Sequence, residues 1–159
     1  MEVEKRVRAE IETVEAIPEL KIIKPKVFPD ERGFFSETFN APGMGKLVSV
    51  ASGRIFDVAV DVRPGSATFG KWHGVYLDGK NKHSFWIPPG FLHGFQCLSP
   101  EGAHVTYKCT AVYDPSTEYG INPFDSSIGV EWPISERAQC IVSARDCDHP
   151  ELESLKEKK

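Results

Sequence analysis

The sequence predicts an all-β fold, an antiparallel sandwich or barrel. Three observations carry that prediction. Short runs rich in Val, Ile, Phe, Tyr and Thr recur along the chain. One of them, "RIFDVAVDV", alternates with a period of two, placing Phe56, Val58, Val60 and Val62 on one face and Asp57, Ala59 and Asp61 on the other. Twelve prolines and thirteen glycines break the runs at the spacing of strands joined by turns.

Taken in order, the first element is ambiguous. Val3, Val7, Ile11 and Val14 fall on one helical stripe, while "IETVEAI" fits an edge strand equally well; residues 1–9 are expected to be helical or flexible. From Phe34 to Val50, "FFSETFNAPGMGKLVSV" gives two apolar runs around a corner of Asn40, Pro42, Gly43 and Gly45, all turn formers. "RIFDVAVDV" follows as a half-buried strand, then the turn "RPGSATFGKW". "WHGVYL" is the next strand, with "DGKNK" as a hairpin-like turn. "HSFWI" stops at "PPG", "GFQCLS" at "SPEG", and "AHVTYKCTAVY" at "DPST". The tail "DHPELESLKEKK" reads as a capped helical turn with a solvated basic end, so residues 151–159 form a flexible or helical terminus. No repeat or linker divides residues 1–159, which predicts a single domain, long enough for a real core.

Composition excludes several classes of function. Nineteen basic against 23 acidic residues leave a net charge of −4, with no basic stripe for nucleic acid. A local basic pocket for a small anion remains compatible with that balance. No apolar run reaches the length of a membrane span. The charged start "MEVEKRVRAEIE" lacks the apolar centre of a signal peptide, so the expected compartment is cytoplasmic. Cys97, Cys109, Cys140 and Cys147 form no CxxC pair and are expected to be buried thiols.

Each residue with chemistry to offer also has a bland reading. His73, His83 and His93 are ten residues apart, and His104 follows eleven later. No HxH, HxxxH or HExxH pair sets two imidazoles on a metal, and the spacing fits similar positions on successive strands. In "WIPPGFLHGF", Pro88, Pro89 and Gly90 fix a corner before His93. That histidine is either a core residue donating to a carbonyl or one facing the mouth of a barrel where ligands bind. Tyr107 either satisfies its hydroxyl in the core or acts as an acid toward a carbanion. Lys46, at the start of "KLVSV", is either solvated or turned inward toward an enolate oxygen.

Together, "DERGFFSETF", "GKLV", "GRIFDVAVDVRPGSATFGKW", "FWIPPGFLHGFQCLS", "YKCTAVYDPSTEYGI", "IGVEWP" and "VSARD" occur in the order seen in one family. Over about residues 20–150 the chain strongly resembles the dTDP-4-dehydrorhamnose 3,5-epimerases. The resemblance implies a cupin-like jelly roll, a homodimer, no metal and no cofactor. It implies inversion of C3 and C5 of a dTDP-linked 4-keto-6-deoxy sugar on the way to dTDP-L-rhamnose. By the same resemblance Tyr107 is the acid, Lys46 the cation at the enolate, and Asp146 the carboxylate that orients the basic histidine. Arg32 and Glu37 match nucleotide contacts, Tyr113 the aromatic stacked on thymine, and His93, Glu118 and Arg145 substrate contacts. Arg145 stands where the family often has lysine, which keeps the charge and changes the geometry.

The basic histidine itself is absent. The family carries a "QDNHS"-type and an "LRGLHFQ"-type stretch between "RGFFSETF" and "GKLV", the second holding the general base. Here Asn40 is followed almost at once by "APGMGKLV". The corner therefore resembles a deletion joint, short of about two strands and a turn. That implies weak or no epimerase activity. Two other roles fit such a chain: a non-catalytic nucleotide-sugar binder, including a heterodimer partner of a full-length paralogue or isoform, and a cupin module for an unrelated small ligand. Nucleic acid and membrane are not expected partners.

Overall fold

The computed structural model describes residues 9–13, 21–25, 27–30, 33–36, 45–110 and 119–156. They fall in two compact units, residues 1–39 and 40–159. In the first, β1 (Ala9–Thr13) pairs antiparallel with β2 (Lys21–Pro25), and β3 (Val27–Asp30) with β4 (Gly33–Ser36). Ala9–Thr13 thus takes the strand alternative; the helical expectation for the residues before it lies outside the described residues.

The second unit contains β5 (Lys46–Ser52), β6 (Arg54–Asp61), β7 (Trp72–Asp78), β8 (Ser84–Ile87), β9 (Phe91–Cys97) and β10 (His104–Cys109). Among the described residues these form two three-stranded antiparallel sheets, ordered β10-β5-β8 and β7-β6-β9. The all-β prediction holds, and the runs read as strands from "KLVSV" to "VTYKC" are strands. The "TAVY" end of the last run lies outside the described residues.

Between the sheets lies a core of Val48, Val50, Ile55, Ala59, Leu77 and Ile87. A second core lies on the other side of β6, where Phe56, Val58, Val60 and Val62 pack with Ile121 and Leu152 of the C-terminal segment. This corrects the half-buried reading of β6. Every position from Ile55 to Asp61 is buried, because the C-terminal segment covers the face that alternation alone leaves undecided. Leu152 is fastened there by its N–H, which donates to Asp125 Oδ2 over 2.6 Å.

The "DGKNK" turn also differs from expectation. The strands on either side of it belong to different sheets, β7 pairing with β6 and β8 with β5. Asp78 Oδ1 accepts from the N–H groups of Lys80 and Asn81, and Lys82 adopts a φ of 57°. These side-chain turns bend the chain across the sandwich rather than back along one sheet. The cysteines are corrected as well: Cys97 is exposed, and Cys109, Cys140 and Cys147 are only partly buried. The tail does form a helical turn, α2 (Glu153–Lys156), after α1 (Ala144–Cys147), whose N-cap Ser143 accepts from the Asp146 N–H.

Gly74 on β7 is a packing glycine. It sits opposite Val58, and a β-carbon built on it would lie within 3 Å of several Phe56 ring atoms. That ring is held by Trp72, Tyr76 and Trp132, with centroids 5.0–6.5 Å away, so it has little room to yield. Gly74→Ala is expected to cost about 1–3 kcal/mol through overpacking. A lower urea midpoint with unchanged slope checks this, and a neutral substitution contradicts it.

Candidate functional site

Strand parity decides which side chains enter the space between the sheets. On β5, Lys46, Val48 and Val50 share a face; Tyr107 on β10 is paired with Val48, and so joins them. On β6, Asp57, Ala59 and Asp61 share the facing side, and β9 contributes Phe91, His93 and Phe95 opposite Asp61, Ala59 and Asp57. The two inner faces bring four functional groups together. His93 Nε2 lies 2.7 Å from Asp57 Oδ1, with side chains 7% and 0% exposed. The His93 and Tyr107 rings meet edge-on, with centroids 6.3 Å apart. Lys46 Nζ lies 5.9 Å from the centre of the Tyr107 ring.

Lys46 and Tyr107 therefore turn inward, as their functional readings require. His93 is neither bonded to a carbonyl nor isolated. It is held by a buried carboxylate whose second oxygen has no hydrogen-bond partner among the described residues. Asp57 went unrecognised in the sequence because alternation places it only on the face opposite Phe56. Its available signal is an acidic residue inside the apolar run "DVAV".

Arg145 and Asp146 lie on α1, where the Asp146 N–H donates to the Ser143 cap. Arg32, Glu37, Tyr113 and Glu118 lie outside the described residues. The other histidines are all accounted for. His73 flanks Ala59 on the side away from His93, with its ring against Phe85. His83 lies in the turn before β8, where its N–H donates to Asn81. His104 Nδ1 is 3.0 Å from Ser52 Oγ, and His149 packs against Gly120. The ten-residue spacing thus places His73 and His93 at equivalent strand positions, but His83 in a turn. Among the described residues no three His, Cys, Asp or Glu side chains are grouped to hold a metal ion. No helix among them is long and apolar enough to cross a membrane.

The cluster lies on a thinly covered side of the sandwich. Phe95 points between the sheets, opposite Asp57, yet is 45% exposed. Concavities of about 380 and 270 Å³ open elsewhere, the first beside Phe124 and Trp132, the second beside His73, Trp86 and Phe91. Neither is lined by Lys46, His93 or Tyr107.

Comparison with known proteins identifies the family. The family model for dTDP-4-dehydrorhamnose 3,5-epimerase matches residues 41–154. A relative from Salmonella typhimurium, a dTDP-4-dehydrorhamnose 3,5-epimerase, is 41% identical over 173 aligned residues, covering 87% of this chain and 93% of its own. Because 87% of 159 residues is about 138, about 35 aligned positions of that relative face no residue here. The family model takes up the chain at Ala41, beside the corner. Among solved structures, the Legionella pneumophila 3,5-epimerase in complex with dTDP-4-keto-L-rhamnose is 40% identical. It superposes with a TM-score of 0.65, covering 91% of this chain and 93% of that one. The epimerase from Elizabethkingia anophelis is 33% identical with a TM-score of 0.67, covering 92% and 98%. A matching family model over most of the chain, relatives near 40% identity and the same jelly-roll architecture lead to one conclusion: this chain belongs to the dTDP-4-dehydrorhamnose 3,5-epimerase family.

Proposed function

We propose that the space between the sheets binds a dTDP-linked 4-keto-6-deoxy sugar and serves C3 and C5 epimerisation chemistry, and that this chain alone turns it over poorly. The observation that carries the reading is the convergence of Lys46, Tyr107, His93 and Asp57 on one interior point. A proton beside a ketone is acidified by enolate resonance. Inverting the carbon takes a base on one face, an acid on the other, and a cation at the enolate oxygen. Tyr107 supplies the acid and Lys46 the cation. Arg32, Glu37, Tyr113, Glu118 and Arg145 supply nucleotide and sugar contacts, and Asp146 is the carboxylate that in the family orients the basic histidine. The working protein is a cytoplasmic homodimer without a cofactor.

Poor turnover follows from the missing stretch. We take the roughly 35 unmatched positions to be the stretch absent at the Asn40–Gly45 corner, where the resemblance puts the basic histidine. A double-sheet jelly roll has eight strands, whereas the two principal sheets here show three each among the described residues. The half-exposed, inward-facing Phe95 fits the same loss of cover. That exposure also supports a second reading, in which the chain pairs with a full-length relative as a non-catalytic partner.

The test is incubation of the purified chain with dTDP-4-keto-6-deoxyglucose in D₂O, followed by proton NMR. Formation of the L-rhamno ketosugar is expected to stay near the protein-free rate, while the nucleotide sugar competes with dTDP for binding. Conversion at the rate of the Salmonella relative would overturn the reading of poor turnover. Binding with no preference for dTDP would favour the unrelated-ligand cupin instead.

A further inference from the structure

We infer that His93, backed by Asp57, is a general base on the same face of the pocket as Tyr107, so that this chain exchanges an α-proton of a 4-ketosugar with solvent without inverting the carbon. The inference rests on the ketosugar reading above and adds an activity to it. Its starting point is geometry. The His93 and Tyr107 rings touch edge-on at 6.3 Å between centroids, too close for a sugar ring to lie between them. Both groups therefore address one side of a bound sugar. Inversion needs groups on both sides. All five histidines fall in the described residues; His93 meets Tyr107 edge-on, while His73 lies against Phe85 and His83 in the turn before β8.

Asp57 fixes the orientation of the His93 ring. Nε2 faces the buried carboxylate, which leaves Nδ1 as the free lone pair of the neutral ring. Asp57 Oδ2 has no hydrogen-bond partner among the described residues, so this carboxylate lies buried with a single partner.

The step balances without a further reagent. The C–H bond beside the ketone breaks and its proton passes to Nδ1. The bonding pair becomes the enolate double bond, and the carbonyl oxygen takes the negative charge, with Lys46 as the nearby cation. The imidazolium, held against Asp57, trades its proton for a solvent deuteron across the thinly covered side. The deuteron returns to carbon from the face it left. Configuration is kept and only the isotope changes.

The experiment uses the full chain in D₂O with two ketosugars, dTDP-4-keto-6-deoxyglucose and dTDP-4-keto-L-rhamnose, each followed by proton NMR. Only the epimer whose C–H faces His93 is expected to lose its α-proton signal, faster than the protein-free control, with no appearance of the other epimer. His93→Gln is expected to abolish the excess, a loss of about 10²–10⁴-fold. Asp57 acts through His93 as a positioning residue. Asp57→Asn is therefore expected to slow exchange and also to mix the His93 tautomers in ¹⁵N spectra, a change that simple loss of packing does not produce. His73→Gln is expected to leave exchange unchanged. Absence of exchange in both sugars despite dTDP-competitive binding overturns this inference and leaves the pocket reading intact. Interconversion of the epimers overturns both, because it demands a base on the opposite face. Exchange that survives His93→Gln in a folded variant overturns the assignment. If the variants unfold, the ring resonances of His93 in the unaltered chain decide. Ketosugar binding is expected to shift them more than those of His73, and an equal or smaller shift overturns the proposal.

Discussion

Inserting a stretch of about 35 residues from the Salmonella relative at the Asn40–Gly45 corner, chosen to carry the family's basic histidine, is expected to raise epimerisation by at least about 10²–10⁴-fold. Two physical gains add up in that figure. The first is a base on the face opposite Tyr107, which a general-base deletion removes at about that cost. The second is positioning: a pocket that leaves Phe95 45% exposed holds a sugar loosely, and small misplacements at the reacting carbon are costly in rate. The insertion should also raise the thermal midpoint, since added strands pair open edges and bury Phe95. Conversion of the D-gluco to the L-rhamno ketosugar gives the rate, and a scan with and without dTDP gives the stability. A folded insertion variant with no gain in conversion would mean that the missing stretch is not what limits this chain.

Much of this was legible in the sequence, and the limits have physical causes. Strand identity was readable because turn chemistry is local. Pro88-Pro89-Gly90 ends one strand, and Gly45 marks the start of the next part of the chain. Sheet partnership was less readable. "DGKNK" carries the residues of a hairpin turn, but the choice between hairpin and crossover is made by what β8 finds to pair with, namely β5. Burial of β6 on both faces depended on a C-terminal segment roughly sixty to ninety residues away in sequence, and period-two alternation carries no information about it. Lys46 and Tyr107 were singled out because a chemical role could be stated for each. Asp57 was not singled out because its contact is with His93, 36 residues along the chain and diagonal to it across the β6–β9 ladder. The corner at Asn40–Gly45 is the opposite case. Its turn residues are unremarkable, and only the order of motifs on either side marked it as a joint.

The Asp61 network was within reach of local reading, since all its members fall inside eight residues, and it predicts the largest stability effect. Asp61, almost fully buried, takes hydrogen bonds at Oδ1 from the Arg63 backbone N–H (3.0 Å) and Nε (2.9 Å). At Oδ2 it accepts from Arg63 Nη2 (2.7 Å), Ser66 Oγ (2.7 Å) and Thr68 Oγ1 (2.6 Å). Arg63 in turn lies over Phe91, 4.7 Å from its ring centre, and the Val62 N–H donates to the Gly90 carbonyl. One carboxylate thus ties the loop after β6 to the corner before β9, and so helps set where His93 begins its strand. The Arg63 guanidinium, against burial and with help from the Thr68 and Ser66 hydroxyls, holds the Asp61 carboxyl far below its ordinary value of 3.8. A carboxyl depressed in the folded state stabilises at pH values above that ordinary value. Its contribution is lost as pH falls below it, by about 1.4 kcal/mol per pH unit for one proton. Asp125, whose carboxyl is lowered by the Leu152 and Ser127 hydrogen bonds despite burial, adds to the same acid sensitivity. Asp61→Asn is therefore expected to cost about 2–4 kcal/mol at pH 7, where an amide cannot accept all five bonds and Arg63 loses its partner. The gap between variant and parent should narrow below pH of about 4, because the parent loses there what the variant never had. Urea unfolding at pH 7, 5, 4 and 3 measures both curves. A gap that stays constant across that range would mean that the charge on Asp61 contributes nothing and that only the shape of the loop matters.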